Sequence, residues 1–390
     1  MIFVQIVILN YIIGRCSMLQ SYLFPIKYAF FTFPFAAFLF TLPFLIVQYR
    51  KHGYINKFRG VIKYLFLLYL MNAYFLVILP LPVSRDNTPM ISGGLQLIPL
   101  NFIRDILRET SIVINNPATY LHLLQERAVL QVLFNILLTV PFAWVLRYYY
   151  RLGWLRCIAL TFLLSLFFEL TQLTGLYGIY KHPYRVFDVD DLLMNTLGGI
   201  LGVLCADWTA SLLPNVDRLD ADVDPAAKRV TFIRRGVAYL FDFWFWSFFQ
   251  HLLDQTFHLT LSFLLSSGIY FMLIPYLTGG FTLGKWMVRI RLIRTGPNPK
   301  ISLPSLVVRY GILYWLIFGL NQISSNIDEY STPVIIVLVV LAVFALDVAF
   351  FIHVVISAIR RKPQLFYEKV SHTKHVVAWE PKEEQASQDS

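Results

Sequence analysis

The residues able to do chemistry in this chain are polar groups set among apolar runs. Glu169 and Gln172 lie near the end of one run; Arg185, Asp188, Asp191 and Asn195 open the next. Spacings of three and four put side chains on one helix face, which pairs Glu169 with Gln172 and Asp191 with Asn195. Ionisable groups at membrane depth are costly and usually have a purpose. Two carboxyls could serve as general acid and base, but no serine, cysteine or histidine arrangement supports them, and His182 stands alone beside the cluster. No metal set and no cofactor motif is expected. Four readings stay open: mutual bonding that fixes a helix bundle, contact with a polar lipid headgroup or wall-linked molecule, an ion or proton path, and hydrolysis. Asp188 and Asp190 precede the apolar run, where carboxylates favour and can cap a helix N-terminus.

A second set lies further along. Arg235 and Asp242 are seven apart, two helical turns, and so share a face. Asp242 sits among Phe241, Phe243, Trp244, Phe245 and Trp246. A lone carboxylate there must be protonated or paired, and Arg309 is the expected partner, with Asp347 a second polar contact. Gly279-x-x-x-x-Gly284-Lys285 imitates a phosphate loop, yet Trp286 stands where a magnesium-binding serine or threonine belongs and no strand precedes it. The expectation is a turn into a basic amphipathic segment, with Trp286, Met287, Val288 and Ile290 at the membrane interface and Arg289 and Arg291 toward anionic headgroups.

The elements that must hold these residues are membrane helices. Of 390 residues, 57% are hydrophobic and 14% charged, against about 25% charged in soluble domains. The apolar stretches are continuous rather than alternating, which favours helices over a barrel. We expect an all-α polytopic membrane protein with about nine transmembrane helices in two bundles: Ile26–Val47, Val61–Leu79, Ala128–Leu146, Leu155–Gly175, Leu192–Leu212, Gly236–Leu253, Leu259–Leu277, Ser305–Gln322 and Val334–Ile359. The first 13 residues are apolar but too short to span by themselves, and Met18 is a candidate start. Basic loops around Arg50, Arg147, Arg151, Arg289 and Arg360 alternate with balanced or acidic ones, which places the N-terminus outside and the C-terminus inside. The net charge of +10 sits in these loops, so it does not point to nucleic acid. Cys16, Cys157 and Cys205 form no disulfide framework. The long outward loop Leu81–Arg127 reads equally as a surface-lying amphipathic helix near residues 95–107 or as an ordinary packed loop.

Gly198, Gly199 and Gly202 allow close helix approach one to two turns after Asn195, and Asn135 is a further amide able to face the bundle interior. Taken together, Glu169-x-x-Gln172, Arg185-x-x-Asp188-x-x-Asp191-x-x-x-Asn195, the three glycines, the region of Pro25 and Leu97-Ile98-Pro99 resemble the VanZ-like family, named for a teicoplanin-resistance protein. Leu100 departs from the phenylalanine familiar there. Arg235-x-x-Ala238-x-x-x-Asp242, Gly279-Gly280-x-Thr282-Leu283-Gly284-Lys285, Arg309 and Leu365-Phe366-Tyr367-Glu368-Lys369 through Val377 resemble the RDD family, with Glu368 in place of its aspartate and His372 in place of a small residue. The expected division is a five-helix VanZ-like domain at 20–212, a polar cytoplasmic linker at 213–228, an RDD-like domain at 229–378 and a polar tail at 379–390. The first resemblance implies a bacterial, multi-pass cell-membrane protein of the envelope, in some members tied to reduced glycopeptide susceptibility; the second implies transport. The expected role is a non-enzymatic binding module. Its expected partners are membrane lipids, including a cell-wall lipid precursor or polar headgroups; a transporter and a structural scaffold are the alternatives.

Overall fold

A computed structural model of the chain describes residues 2–89, 94–110, 126–221, 223–257, 262–321, 333–360, 362 and 364–379. The expected tail beyond Trp379, the opening of the span expected from Leu259 and much of the long outward loop lie outside the described residues. The protein is a multi-pass membrane protein of the all-α class, with only short strands beside its helices. Seven described helices are long and apolar enough to cross: Leu23–His52, Lys57–Ile78, Arg127–Tyr148, Trp154–Leu173, Val189–Thr209, Leu303–Asn321 and Val337–Ile359. The other two expected spans fall on a helix at Phe232–Phe257, which carries Arg234, Arg235, Asp242 and Asp254, and on a shorter apolar helix at Ser262–Leu277. The apolar N-terminal residues do not stand apart, because one helix, α1, runs from Ile2 to His52.

Two compact units emerge, Met1–Leu39 with Lys57–Ala221, and Phe40–Asn56 with Asp222–Ser390. The first contains α2 (Lys57–Ile78), β1 (Leu95–Gln96), α3 (Asn101–Glu109), α4 (Arg127–Tyr148), α5 (Trp154–Leu173), β2 (Phe187–Asp188) and α6 (Val189–Thr209). Helix α6 lies against both α4 and α5, and its glycines make that possible. A Cβ on Gly198 or Gly202 would run into the carbonyls of Ile136 and Val140 on α4; one on Gly199 would come within 2.9 Å of Thr161 on α5. The close approach lets Thr139 Oγ1 donate to the Asn195 carbonyl at 2.6 Å. At the far end of the pair, Trp144 Nε1 donates to Thr209 Oγ1 at 2.9 Å and Arg147 Nε to Asp207 at 2.6 Å. Buried Arg59 pairs with Asp220 through two guanidinium nitrogens, at 3.0 and 2.6 Å. The helix in the long loop between α2 and α4 is α3, which has no buried residue.

The second unit holds α7 (Phe232–Phe257), α8 (Ser262–Leu277), α9 (Leu283–Met287), β3 (Ile290–Arg294), α10 (Leu303–Asn321), α11 (Pro333–Ile359), α12 (Phe366–Val370) and β4 (Thr373–Val377). Its core is aromatic: Trp246, Tyr270, Phe271, Tyr310 and Tyr314 are buried, and Phe271 stacks on Tyr314 with ring centroids 4.1 Å apart. Helices α8 and α10 each widen to π geometry, at Gly268–Leu273 and Gly311–Phe318. Strands β3 and β4 pair antiparallel, from Ile290↔Val377 to Arg294↔Thr373. Gly280, at φ +102°, accepts from the Leu292 N–H at 2.9 Å, and a Cβ there would strike the Leu292 backbone. This part of the fold corrects one expectation. Val288 and Ile290 are buried in the unit, not laid on a membrane interface; only Trp286 and Arg291 of that segment are exposed.

Candidate functional site

In the first unit, the ends of α2, α4, α5 and α6 and the segment before α6 surround a cavity of about 850 Å³. Glu169, Gln172, Arg185, Asp188, Asp191 and Asn195 all line it. Glu169 sits on the last turns of α5 and is 3% exposed; its Oε2 accepts the Asp188 N–H at 3.0 Å. Gln172 Nε2 donates to the Val77 carbonyl at 2.8 Å, and Arg185 Nη2 to the Leu79 carbonyl at 2.7 Å, so both tie the site to the end of α2. Asp188 caps α6, accepting the Asp190 N–H at 2.8 Å, as a carboxylate ahead of an apolar helix should. Burial raises the Asp188 carboxyl above its ordinary range, against the lowering effect of that Asp190 N–H bond. Asp191 accepts from Asn135 Nδ2. Asn195 Nδ2 donates to Ser165 Oγ at 2.8 Å.

Residues outside the expected site complete it. Asp190 holds α3, with its two oxygens accepting the N–H groups of Leu100 at 2.6 Å and Phe102 at 2.9 Å. Its place in the run Asp188-Val189-Asp190-Asp191 gave a carboxylate but no hint of a partner 90 residues back. Arg127, Gln131, Asn72 and Tyr184 also line the cavity. Asn72 and Gln131 were legible as amides inside apolar runs. Burial pushes the Tyr184 hydroxyl up to about 12, so it stays protonated. A smaller neighbouring cavity of about 80 Å³ lies between α3 and the starts of α4 and α6, lined by Asp105, Glu109, Arg127, Asp188 and Asp191 among others. Among the described residues, no group of three or more histidine, cysteine, aspartate or glutamate side chains is placed to hold a metal.

The VanZ/LLP1 family matches residues 66–210. The matched VanZ/LLP1 region begins within α2, closes just past α6 and so contains every residue lining the large cavity. It ends before the second unit and lends nothing to the RDD resemblance. No curated protein and no solved structure matches the chain.

Outside the VanZ/LLP1 region, the second unit brings its polar residues into two buried clusters. Asp242 is 2% exposed and accepts from Tyr270 Oη at 3.0 Å, Thr282 Oγ1 at 2.6 Å, the Gly284 N–H at 2.7 Å and Lys285 Nζ at 3.3 Å. Gly284 allows this, since a Cβ there would meet Ala238 O and Asp242. Arg309 is therefore not the partner of Asp242. It donates to Glu368 at 3.0 Å and to Thr373 at 2.8 Å. Arg235 reaches the other oxygen of Glu368 at 3.0 Å, so Arg235 and Asp242, two turns apart on α7, serve different clusters. Asp347 accepts from Asn321 instead, at 3.2 Å. Lys285, read as the end of an imitation phosphate loop, is spent on Asp242 and Thr282. Burial acts to raise the Glu368 carboxyl, but Arg309, His375 and Arg235 outweigh it and hold it well below the usual carboxylate range. Burial drives the neighbouring His375 imidazole the other way, down to about 3, against the pull of Glu368.

Proposed function

We propose that this chain is a non-enzymatic membrane module that binds a polar lipid of the cell envelope in the first-unit cavity. A single observation carries the reading: an 850 Å³ cavity among membrane-length helices is lined by charged and amide groups rather than by apolar ones alone. That volume falls in the range of small-molecule sites, roughly 300–1,000 Å³. Bundle-fixing hydrogen bonds account for Gln172 and Arg185, which are anchored to the backbone carbonyls of Val77 and Leu79, at and just past the end of α2. They do not account for the space these groups enclose.

The family likeness suggests what such binding does. A VanZ-like module that holds a cell-wall lipid precursor, or another polar lipid, would change the envelope and its susceptibility to glycopeptides such as teicoplanin. In cells expressing the chain, Glu169→Gln and Asp191→Asn should keep membrane abundance while lowering any expression-dependent glycopeptide phenotype. Loss of abundance in step with phenotype would return these residues to a purely structural role, and a wild-type chain with no phenotype would end the glycopeptide part of the proposal.

A transporter working through the RDD-like second unit is the other reading. It is favoured by the burial of Asp242, Lys285, Arg309 and Glu368 within one helical unit. Sodium- or proton-dependent flux in proteoliposomes, abolished by Asp242→Asn, is its signature; its absence favours the lipid-binding module.

A further inference from the structure

We infer that the outer face of α3 docks on an anionic phospholipid surface, and that Asp190 and Glu109 hold the helix there. This docking is independent of what fills the large cavity. Both ends of α3 are tied to membrane-spanning helices. Asp190, the second residue of α6, accepts the N–H groups of Leu100 and Phe102 at 2.6 and 2.9 Å. At the other end, Glu109 Oε2 accepts the N–H of Ala128, the second residue of α4, at 3.1 Å. Both α4 and α6 are long and apolar enough to cross, and they begin on the same side because α5 crosses back between them. The two ties therefore lie where spans meet the headgroups. Helix α3, about 13 Å long at 1.5 Å per residue, runs along that level rather than through the bilayer. Leu100 is left-handed at φ 64°, a conformation unfavourable to leucine that the bond to Asp190 holds in place.

The side chains of α3 sort into three stripes, each with a spacing of four. Asp105 and Glu109 line the small cavity with Phe102. Ile103 and Leu107 point away from it and are 44% and 69% exposed. Arg104 and Arg108 lie beside that apolar stripe and are exposed as well. Just ahead of the helix, Leu97, Ile98 and Leu100 are also exposed. An apolar stripe on a short, otherwise polar helix, with cations at its edge, suits a helix lying in the membrane interface. Contact with lipid covers these apolar side chains without a further protein partner.

The charges choose the headgroup. Asp105 accepts from Asn101 Nδ2 at 3.3 Å, and Glu109 is bound to Ala128. The acidic residues of α3 are thus committed to the protein. Arg104 and Arg108 have no bonded partner among the described residues, which leaves them as the charges available to a headgroup. Anionic phosphate heads complement them.

The test places a photo-reactive benzoylphenylalanine at Ile103, Leu107 or the exposed loop residue Asp86 of the full-length chain, in vesicles of equal parts phosphatidylcholine and phosphatidylglycerol. After irradiation, adducts are identified by mass spectrometry. Ile103 and Leu107 should yield lipid adducts well above Asp86. Phosphatidylglycerol should exceed phosphatidylcholine among them by about fivefold, the worth of one arginine at a charged surface. Arg104→Gln with Arg108→Gln should bring that ratio toward one. Asp190→Ala, which removes one tie, should lower the Leu107 adducts; unchanged adducts would overturn the part given to Asp190. Crosslinks from Ile103 and Leu107 to the chain itself would show that protein covers the stripe and would overturn the docking. So would lipid adducts no more frequent than at Asp86. Equal capture of the two lipids would overturn the anionic preference. The comparison of positions does not need the Asp190 variant, so it decides the docking even if that variant fails to fold.

Discussion

At the scale of single residues, Glu368 is the most consequential side chain of the second unit. It is fully buried and is met by two guanidiniums and an imidazole. Glu368→Gln would leave Arg235 and Arg309 facing a neutral group, and breaking a buried ion pair costs about 3–5 kcal/mol. We expect a thermal midpoint in detergent lowered by many degrees, whereas Asp347→Asn, which keeps a hydrogen-bonding group beside Asn321, should change it little. His375 sets a pH dependence with a definite sign. Its folded value of about 3 lies below the model-peptide value of 6.5, so only the unfolded chain takes up a proton as pH falls through that interval. Stability is then present above about pH 6.5 and declines below it. Glu368, depressed as well, adds to the loss only below about pH 4.5. Melting followed from pH 7.5 to pH 5 should therefore show a falling midpoint, and His375→Asn should flatten it; a midpoint that rises on acidification contradicts the assignment.

At the scale of elements, α6 is positioned by the absence of side chains. Gly198→Val places methyl groups against Ile136 O on α4 and should cost about 1–3 kcal/mol by overpacking, read as reduced membrane abundance and a lower midpoint. Gly153→Ala meets no atom within 4 Å and should be silent in the same assay. The sequence made the helical elements, the glycine approach and the Asp188 cap readable, because each depends on neighbours one to four residues away. It did not reveal which carboxylate meets which cation. Lys285 reaches Asp242 from 43 residues away and Arg309 reaches Glu368 from 59. Those pairings follow from how α9, β3 and β4 fold onto the helices, and hydrophobic periodicity carries no record of that. The same limit hid the partners of Asp190, the N–H groups of Leu100 and Phe102 at the start of α3, and placed Val288 and Ile290 at an interface when the fold buries them.

At the scale of the whole molecule, loop charge leads us to expect an N-terminus outside and a C-terminus inside. Cysteines introduced at Asn87 and Gly153 should then label from opposite sides, Asn87 from outside and Gly153 only after permeabilisation; external labelling at Gly153 reverses the orientation. The central claim is that a polar lipid occupies the cavity lined by Glu169, Asn135 and Asn195. Photo-crosslinking tests it most directly: the full-length chain is reconstituted with a phospholipid bearing a photoactivatable group close to its headgroup, irradiated, and the adducts are mapped by peptide sequencing. The account predicts adducts concentrated on the cavity-lining stretches around residues 72–80, 131–141 and 184–195, and their loss with Glu169→Gln at unchanged protein recovery. Adducts spread evenly over the exposed faces of α4, α5 and α11, with no enrichment at those stretches, would contradict it.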